Sequence, residues 1–272
     1  MLLLMLLMLF SNGTTSFKDN FTLSHYELPK TNIEKLGLEQ LKGIHKYALG
    51  SLVGNFTGVT STLSVQNPKV TGDGQSISQI WISDSSKRGI LEVGWHVYPM
   101  VSSGHCLFIY WTADRYQSTG CFNLQCKGFV QVDTKVVLGG VISQREISLA
   151  ISQDKKTQNW WLLVDGKRIG YWPSALLKSI QQGASFVAAG GEVATLNGKA
   201  ILQMGSGKFP SSGKGFAAYH RNIRVSDANH VIHDARLQTT LINTNQACYG
   251  IGNIQYNPQW GSHFFFGGPG CS

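Results

Sequence analysis

From about residue 55 onward, apolar and polar positions alternate with a period of two. Over 142–152, Ile147, Leu149 and Ile151 fall on one side, and Gln144, Glu146, Ser148 and Ser152 on the other, the pattern of a half-buried strand. Gln75–Ser83, Ile90–Tyr98, Cys106–Thr112 and Ala184–Thr195 are rich in β-branched and aromatic residues and also predict strands. Between Trp160 and Trp172 two such runs flank Asp165-Gly166, a dipeptide suited to a tight hairpin turn. Helical spacing occurs twice. Ile33, Leu36, Leu41 and Ile44 predict a helix over 32–48, and Ser174–Gln181, after Pro173, predicts a second. Many short strands without strand–helix alternation predict an all-β, antiparallel β-sandwich with one or two short helices.

Composition narrows the class. Charged residues make up only 14% of the 272 positions and glycine supplies 31, which excludes highly charged disorder and long solvent-facing helices. The net charge of +8 comes from scattered residues rather than a basic cluster, so it describes a basic surface and predicts no nucleic-acid partner. Met1–Phe10 is a ten-residue apolar run, too short to span a bilayer as a helix but of the size of a secretory signal core. Residues 1–16 are therefore expected to be a signal peptide, and the protein to be secreted, in the cell wall or a vacuole. Asn12, Asn20 and Asn55 each begin a sequon and are candidate glycosylation sites. Of the five cysteines, Cys121 and Cys126 could close a small loop, and Cys248 and Cys271 could clip the C-terminal segment to the body. Cys106, in an apolar run, is expected to be a buried free thiol. The spacing does not suit zinc, and neither a metal nor a cofactor is expected.

His-Glu-x-x-His and Gly-x-Ser-x-Gly are absent, which speaks against a zinc protease and an elbow-type serine hydrolase. His230 and His233 are expected to be surface residues. Only three glutamates follow residue 50. Glu146 lies on the polar side of its strand and is expected to be an ordinary solvated residue. Glu92 shares a strand face with Gly94 and His96, and Glu192 shares one with Gly190 and Ala194. A glycine two positions away leaves room for a ligand backbone, and so apolar a strand should raise a carboxyl's pKa. Two such carboxyls facing each other would form an acid/base pair able to work on water.

The same segments carry a family resemblance. Ser78–Ile82, Glu92–Pro99, Tyr110–Asp114, Thr119–Val130, Asn159–Leu162, Ile169–Pro173, Gly190–Val193, Gln203–Gly207 and Phe266–Cys271 resemble, in order, the catalytic domain of the plant neprosin family. The resemblance covers about residues 44–272 and implies a neprosin-like catalytic domain there. Residues 17–43 would be a short or truncated remnant of the longer activation region that family members carry. It implies a β-sandwich glutamic endopeptidase that cuts protein or peptide substrates, proline-rich ones among them, after proline and in acid. Glu92 and Glu192 stand at the positions of its catalytic glutamates, and its disulfides map onto Cys121–Cys126 and Cys248–Cys271. Gln79 is then a candidate oxyanion or substrate ligand, and Trp95, Tyr110 and Trp111 are candidate cleft walls that would suit a proline ring. A monomer is expected. The competing readings are a non-catalytic β-sandwich binding protein of the cell wall and a glycosidase built on the same two carboxylates.

Overall fold

The computed structural model describes residues 43–100, 104–196 and 202–271. The strands in chain order are β1 (Ile44–Ser64), β2 (Gln75–Ser83), β3 (Ile90–Val97), β4 (His105–Thr112), β5 (Cys121–Phe122), β6 (Val130–Gln131), β7 (Glu146–Gln153) and β8 (Trp160–Val164). They continue with β9 (Lys167–Trp172), β10 (Ala184–Thr195), β11 (Ala218–Asp227), β12 (Ile232–Asp234), β13 (Gln238–Ile242), β14 (Gly250–Ile251), β15 (Gln255–Asn257) and β16 (Gly261–Gly267). Strand β1 organises the molecule because it belongs to two layers. Its first half, up to Val53, pairs with β10 and β13. Beyond a register shift between Val53 and Phe56, its second half pairs with β7 and β11. One layer therefore runs β5-β4-β3-β2-β10-β1, and the other continues from β1 through β7-β8-β9-β6 on one side and β11 and β16 on the other. Every pairing between these strands is antiparallel.

The core fills the space between the layers. Leu91, Val93, Trp95, Ile109 and Trp111 enter it from β3 and β4, and Leu149, Ile151, Trp160 and Leu162 from β7 and β8. This is the face-to-face packing expected of a sandwich. The hairpin at Asp165-Gly166 forms as predicted, with both residues at positive φ (48° and 77°), as a type I′ turn requires. Both disulfides, Cys121–Cys126 and Cys248–Cys271, are present, and Cys106 is a buried free thiol.

Neither helix expectation is met among the described residues. Of the predicted helix over 32–48, residues 32–42 lie outside the described residues, and residues 44–48 open β1. There Tyr47 and Leu49 pack on one face and Ala48 on the other, so pairing with β10 overrides the local spacing. Ser174–Gln181 contains only a 3-10 turn, Lys178–Ile180. It carries Leu177 and Ile180 into the core three residues apart, the spacing at which a 3-10 turn aligns its side chains. The signal peptide, most of the 17–43 segment and Asn12 and Asn20 lie outside the described residues. No helix among the described residues is long and apolar enough to cross a membrane.

Candidate active site

Strand register assembles the site on the face of the β4-β3-β2-β10-β1 layer that points away from the main core. Gln79 on β2 pairs with Gly94 on β3 and Gly190 on β10. Two residues along, Trp81 lies between Glu92 and Ala188. Two residues back, Ile77 lies between His96 and Glu192. The glutamates thus flank Gln79 on a diagonal. Tyr110 on β4 pairs with Glu92, and Ile77, Phe108, Tyr110 and Tyr116 form a separate apolar cluster on this face.

Both carboxyls are buried, Glu92 at 8% and Glu192 at 5% exposure. Gln79 Nε2 donates to Glu192 Oε2 at 2.9 Å, and the Gln79 side chain also hydrogen-bonds Glu92. The Tyr116 hydroxyl donates to Glu92 Oε1 at 2.5 Å, while His45 Nδ1 lies 2.5 Å from Glu192 Oε1. The Glu92 pKa is pushed up to about 7, first by burial and then by the negative charge of Glu192. The bonds from Tyr116 and Gln79 and the His45 charge oppose that rise. Burial and the neighbouring charge thus favour the protonated form of Glu92. Gln79 Oε1 and the Tyr110 hydroxyl are buried without a hydrogen-bond partner among the described residues, an unusual state for buried polar atoms.

A rigid loop delivers Tyr116. The Asp114 carboxylate accepts from the backbone N–H groups of Gln117, Ser118 and Thr119 and from the hydroxyls of Thr112, Ser118 and Thr119. Thr112 Oγ1 in turn accepts the Tyr116 N–H, and the Arg115 guanidinium donates to the Ser86 carbonyl. Arg115 and Tyr116 both sit at positive φ (64° and 60°), which costs about 1–3 kcal/mol per residue for side chains of this kind. The bonds around Asp114 offset that strain and hold the Tyr116 ring over Glu92.

Several expectations need revision. Trp95 and Trp111 point into the main core, Trp95 with its indole N–H on the Ser64 carbonyl. They are an odd number of residues from Glu92 and Tyr110, so the pleat sends them to the opposite face. Tyr110 does lie on the glutamate face. Trp81, a part-exposed aromatic on this face beside Phe122 and Phe186, lies two residues from Gln79, a position readable from the same alternation. Gly94 and Gly190 make room for the protein itself and not for a ligand. A Cβ at Gly94 would stand 2.1 Å from the Ser78 carbonyl oxygen, and one at Gly190 would stand 2.3 Å from that of Ala48. Glu146 is not simply solvated, since it binds the Arg221 guanidinium (2.6 and 3.0 Å) and the Tyr219 hydroxyl. His233 is exposed and pairs with Asp227. Among the described residues no group of three His, Cys, Asp or Glu is placed to hold a metal.

Sequence reasoning missed Tyr116 and His45. Tyr116 lies in an aperiodic loop, where the only signal was the Thr112/Asp114/Ser118/Thr119 cluster typical of side-chain-stapled turns. His45 was hidden by the expected helix.

Known structures of similar shape include two of scytalido-glutamic peptidase with transition-state analogues. One is 13% identical (84% of this chain, 99% of the other, TM-score 0.46), and the other 14% (82% and 98%, TM-score 0.47). Another is SCP-B of the eqolisin family with the tripeptide Ala-Ile-His, 12% identical (82% and 98%, TM-score 0.43). The model of the Neprosin family matches residues 72–269, nearly three quarters of the sequence and all of the strands that carry Glu92, Gln79 and Glu192. The chain belongs to the neprosin family.

Proposed function

We propose that this protein is a glutamic peptidase in which Glu92 is the general acid and Glu192 the general base. The observation that carries the reading is the unequal setting of two buried carboxyls around Gln79. Glu92 is raised to about 7 by burial and by Glu192, whereas Glu192 accepts Gln79 Nε2 on one oxygen and faces His45 on the other. In the reaction Glu192 takes a proton from a water, and the hydroxide formed attacks the scissile carbonyl carbon. Glu92 hydrogen-bonds the developing oxyanion and then protonates the leaving nitrogen as the C–N bond breaks. Gln79, with one amide atom on the carboxyls and its Oε1 free, would orient the water or the oxyanion. These steps use the chain's own side chains.

The same setting supports action in acid, because the proton on Glu92 is lost as pH rises through about 7. A preference for cutting after proline is supported by Trp81, a flat and partly exposed surface opposite Glu92 that suits a pyrrolidine ring, with Tyr47 edge-on to it at 6.4 Å. Two disulfides and an exposed Asn55 in its sequon support a secreted, glycosylated protein in the wall or vacuole. The catalytic domain is taken as residues 44–272, since β1 from Ile44 supplies both layers, and it would act as a monomer on protein or peptide substrates.

Cleavage of proline-containing peptides by the purified full chain, from pH 2 to 8, beside Glu92→Gln and Glu192→Gln tests the reading. Cutting in acid that falls at least 1,000-fold in each variant, with far-UV circular dichroism unchanged, is expected. A folded wild type that cuts nothing would instead favour a binding protein.

A further inference from the structure

Glu192 is held by a residue that lies ahead of the family's matched segment. His45 is the third described residue and the second of β1, whereas the match begins at residue 72. The β1–β10 register sets Tyr47 opposite Glu192 and His45 opposite the next residue on the same face, Ala194. From there the imidazole reaches Glu192 diagonally, Nδ1 to Oε1 at 2.5 Å, with both side chains less than a tenth exposed. The Asn243 amide donates to the His45 backbone carbonyl at 3.1 Å, which ties down this end of β1, and the imidazole stacks on Tyr47 with planes 14° apart.

Other ionisable groups bear on this pair. Across the face they are Glu92 and His96 on β3, Tyr110 on β4, Tyr116 on its loop and Tyr47 on β1, with Asp73 bound to Thr195 at the end of β10. None of these carries positive charge against either glutamate. His96 is pushed down to about 4 by burial and stays neutral over most of the acid range. Among the described residues no Lys or Arg forms an ion pair with Glu92 or Glu192. Among the described residues, His45 is the only side chain able to carry positive charge that pairs with either glutamate.

We propose that His45 is a positioning residue of the reaction: as imidazolium it keeps Glu192 ionised and turned toward the water, so that Glu192 is the base and Glu92 the acid. The proposal rests on the peptidase reading above. Two buried carboxyls bridged by one amide share a strong tendency to keep one proton between them. Without a fixed charge on one side, that proton would not be assigned to either. An imidazolium on Glu192 breaks the symmetry. Between them His45 and Gln79 use one lone pair on each Glu192 oxygen, and a carboxylate has about four acceptor positions, so acceptor capacity remains for the attacking water.

His45→Asn keeps a neutral donor near the Nδ1 position, whereas His45→Ala removes donor and charge. The acid limb of kcat/KM is expected to rise by about one pH unit in both variants, a roughly tenfold loss at a pH well below that limb, while the limb near 7 set by Glu92, which the His45 charge also holds down, moves up with it. A fall in rate with the acid limb unmoved in the Asn variant would leave His45 a packing residue and overturn the proposal. A second readout does not need activity. NMR titration of the His45 ring in the wild type and in Glu192→Gln should show its pKa fall by about one unit when the carboxylate is removed. An unchanged His45 titration would also overturn the proposal. If the wild type cuts no peptide but the His45 pKa does fall in Glu192→Gln, the failure belongs to the peptidase reading and not to the pairing.

Discussion

Glu92→Gln should make this protein more stable at neutral pH. Glu92 is 8% exposed and faces Glu192, so its ionised form is disfavoured in the fold, and its pKa moves from 4.5 to about 7. Below pH 4.5 the carboxyl is protonated in both the folded and the unfolded chain and costs nothing. As pH rises, the unfolded chain releases the proton first, and the folded state loses stability until pH passes 7. At about 1.4 kcal/mol per pH unit, the interval amounts to about 3 kcal/mol by pH 8. Glutamine imitates the protonated acid. It still offers an oxygen to Tyr116, carries no charge against Glu192, and does not titrate. The two proteins should therefore unfold alike at pH 4.5 and differ by about 3 kcal/mol at pH 8, with the variant ahead. With a urea dependence of about 3 kcal/mol per molar, midpoints followed by tryptophan fluorescence would separate by about 1 M. A separation that is the same at both pH values, or a variant weaker at pH 8, would refute the claim that Glu92 is held as a buried acid.

The other expectations are narrower. Tyr116→Phe removes a donor that favours ionised Glu92, so the alkaline limb of the pH–rate profile should move up by about half a unit to one unit and kcat should fall. His220 is buried between Ser61 and Ser78, and burial pushes it down to about 3. It is neutral in the fold but protonated in the unfolded chain below about 6.5, so it costs stability as pH falls from there toward 3. His220→Gln should be weaker at pH 7 yet show a shallower loss in acid, by about 1.4 kcal/mol per pH unit, in the same urea series. Replacing Cys248 and Cys271 with alanine opens a loop of separation 23 and should cost about 3 kcal/mol, against about 2 for the Cys121–Cys126 pair of separation 5. Trp81→Ala should raise KM for proline-containing peptides more than it lowers kcat.

The sandwich and most of its strands were legible because one face of each strand is buried and period two survives in the sequence. β7 and the β8–β9 hairpin show it plainly. The glutamate pair was legible for the same reason, since charged residues are rare in apolar strands, and Glu92 and Glu192 stood out against their neighbours. What could not be read was whatever depends on pairing between distant strands. The helical spacing that ends at Ile44 carried the expected helix over residues 44–48, which pair with β10 as strand, and it concealed His45. Trp95 and Trp111 were aromatic residues near the glutamates in sequence, but one step of the pleat puts them in the core. The space made by Gly94 and Gly190 looked the same on paper whether a ligand or a neighbouring strand would fill it.

Register, more than any single side chain, sets the chemistry of this site. Glu92 pairs with Trp81 and Glu192 with Ile77, two residues to either side of Gln79 on the central strand. The spacing of the two glutamate backbones is therefore fixed by β2. A one-residue slip of β2 would turn Gln79 into the core and break both of its bonds. Gln79→Leu tests this division between framework and bridge. The strands should stay in register, because the apolar neighbours Ile77, Ile80 and Ile82 remain. The two carboxyls, without the amide between them, should compete more strongly for one proton. Glu92 should then titrate above 7, since the Gln79 bond is one of the forces now holding it down, and cleavage should fall by at least 100-fold. A variant with normal cleavage and an unmoved alkaline limb would mean that the amide does not join the two carboxyls, and that the strands alone account for the site.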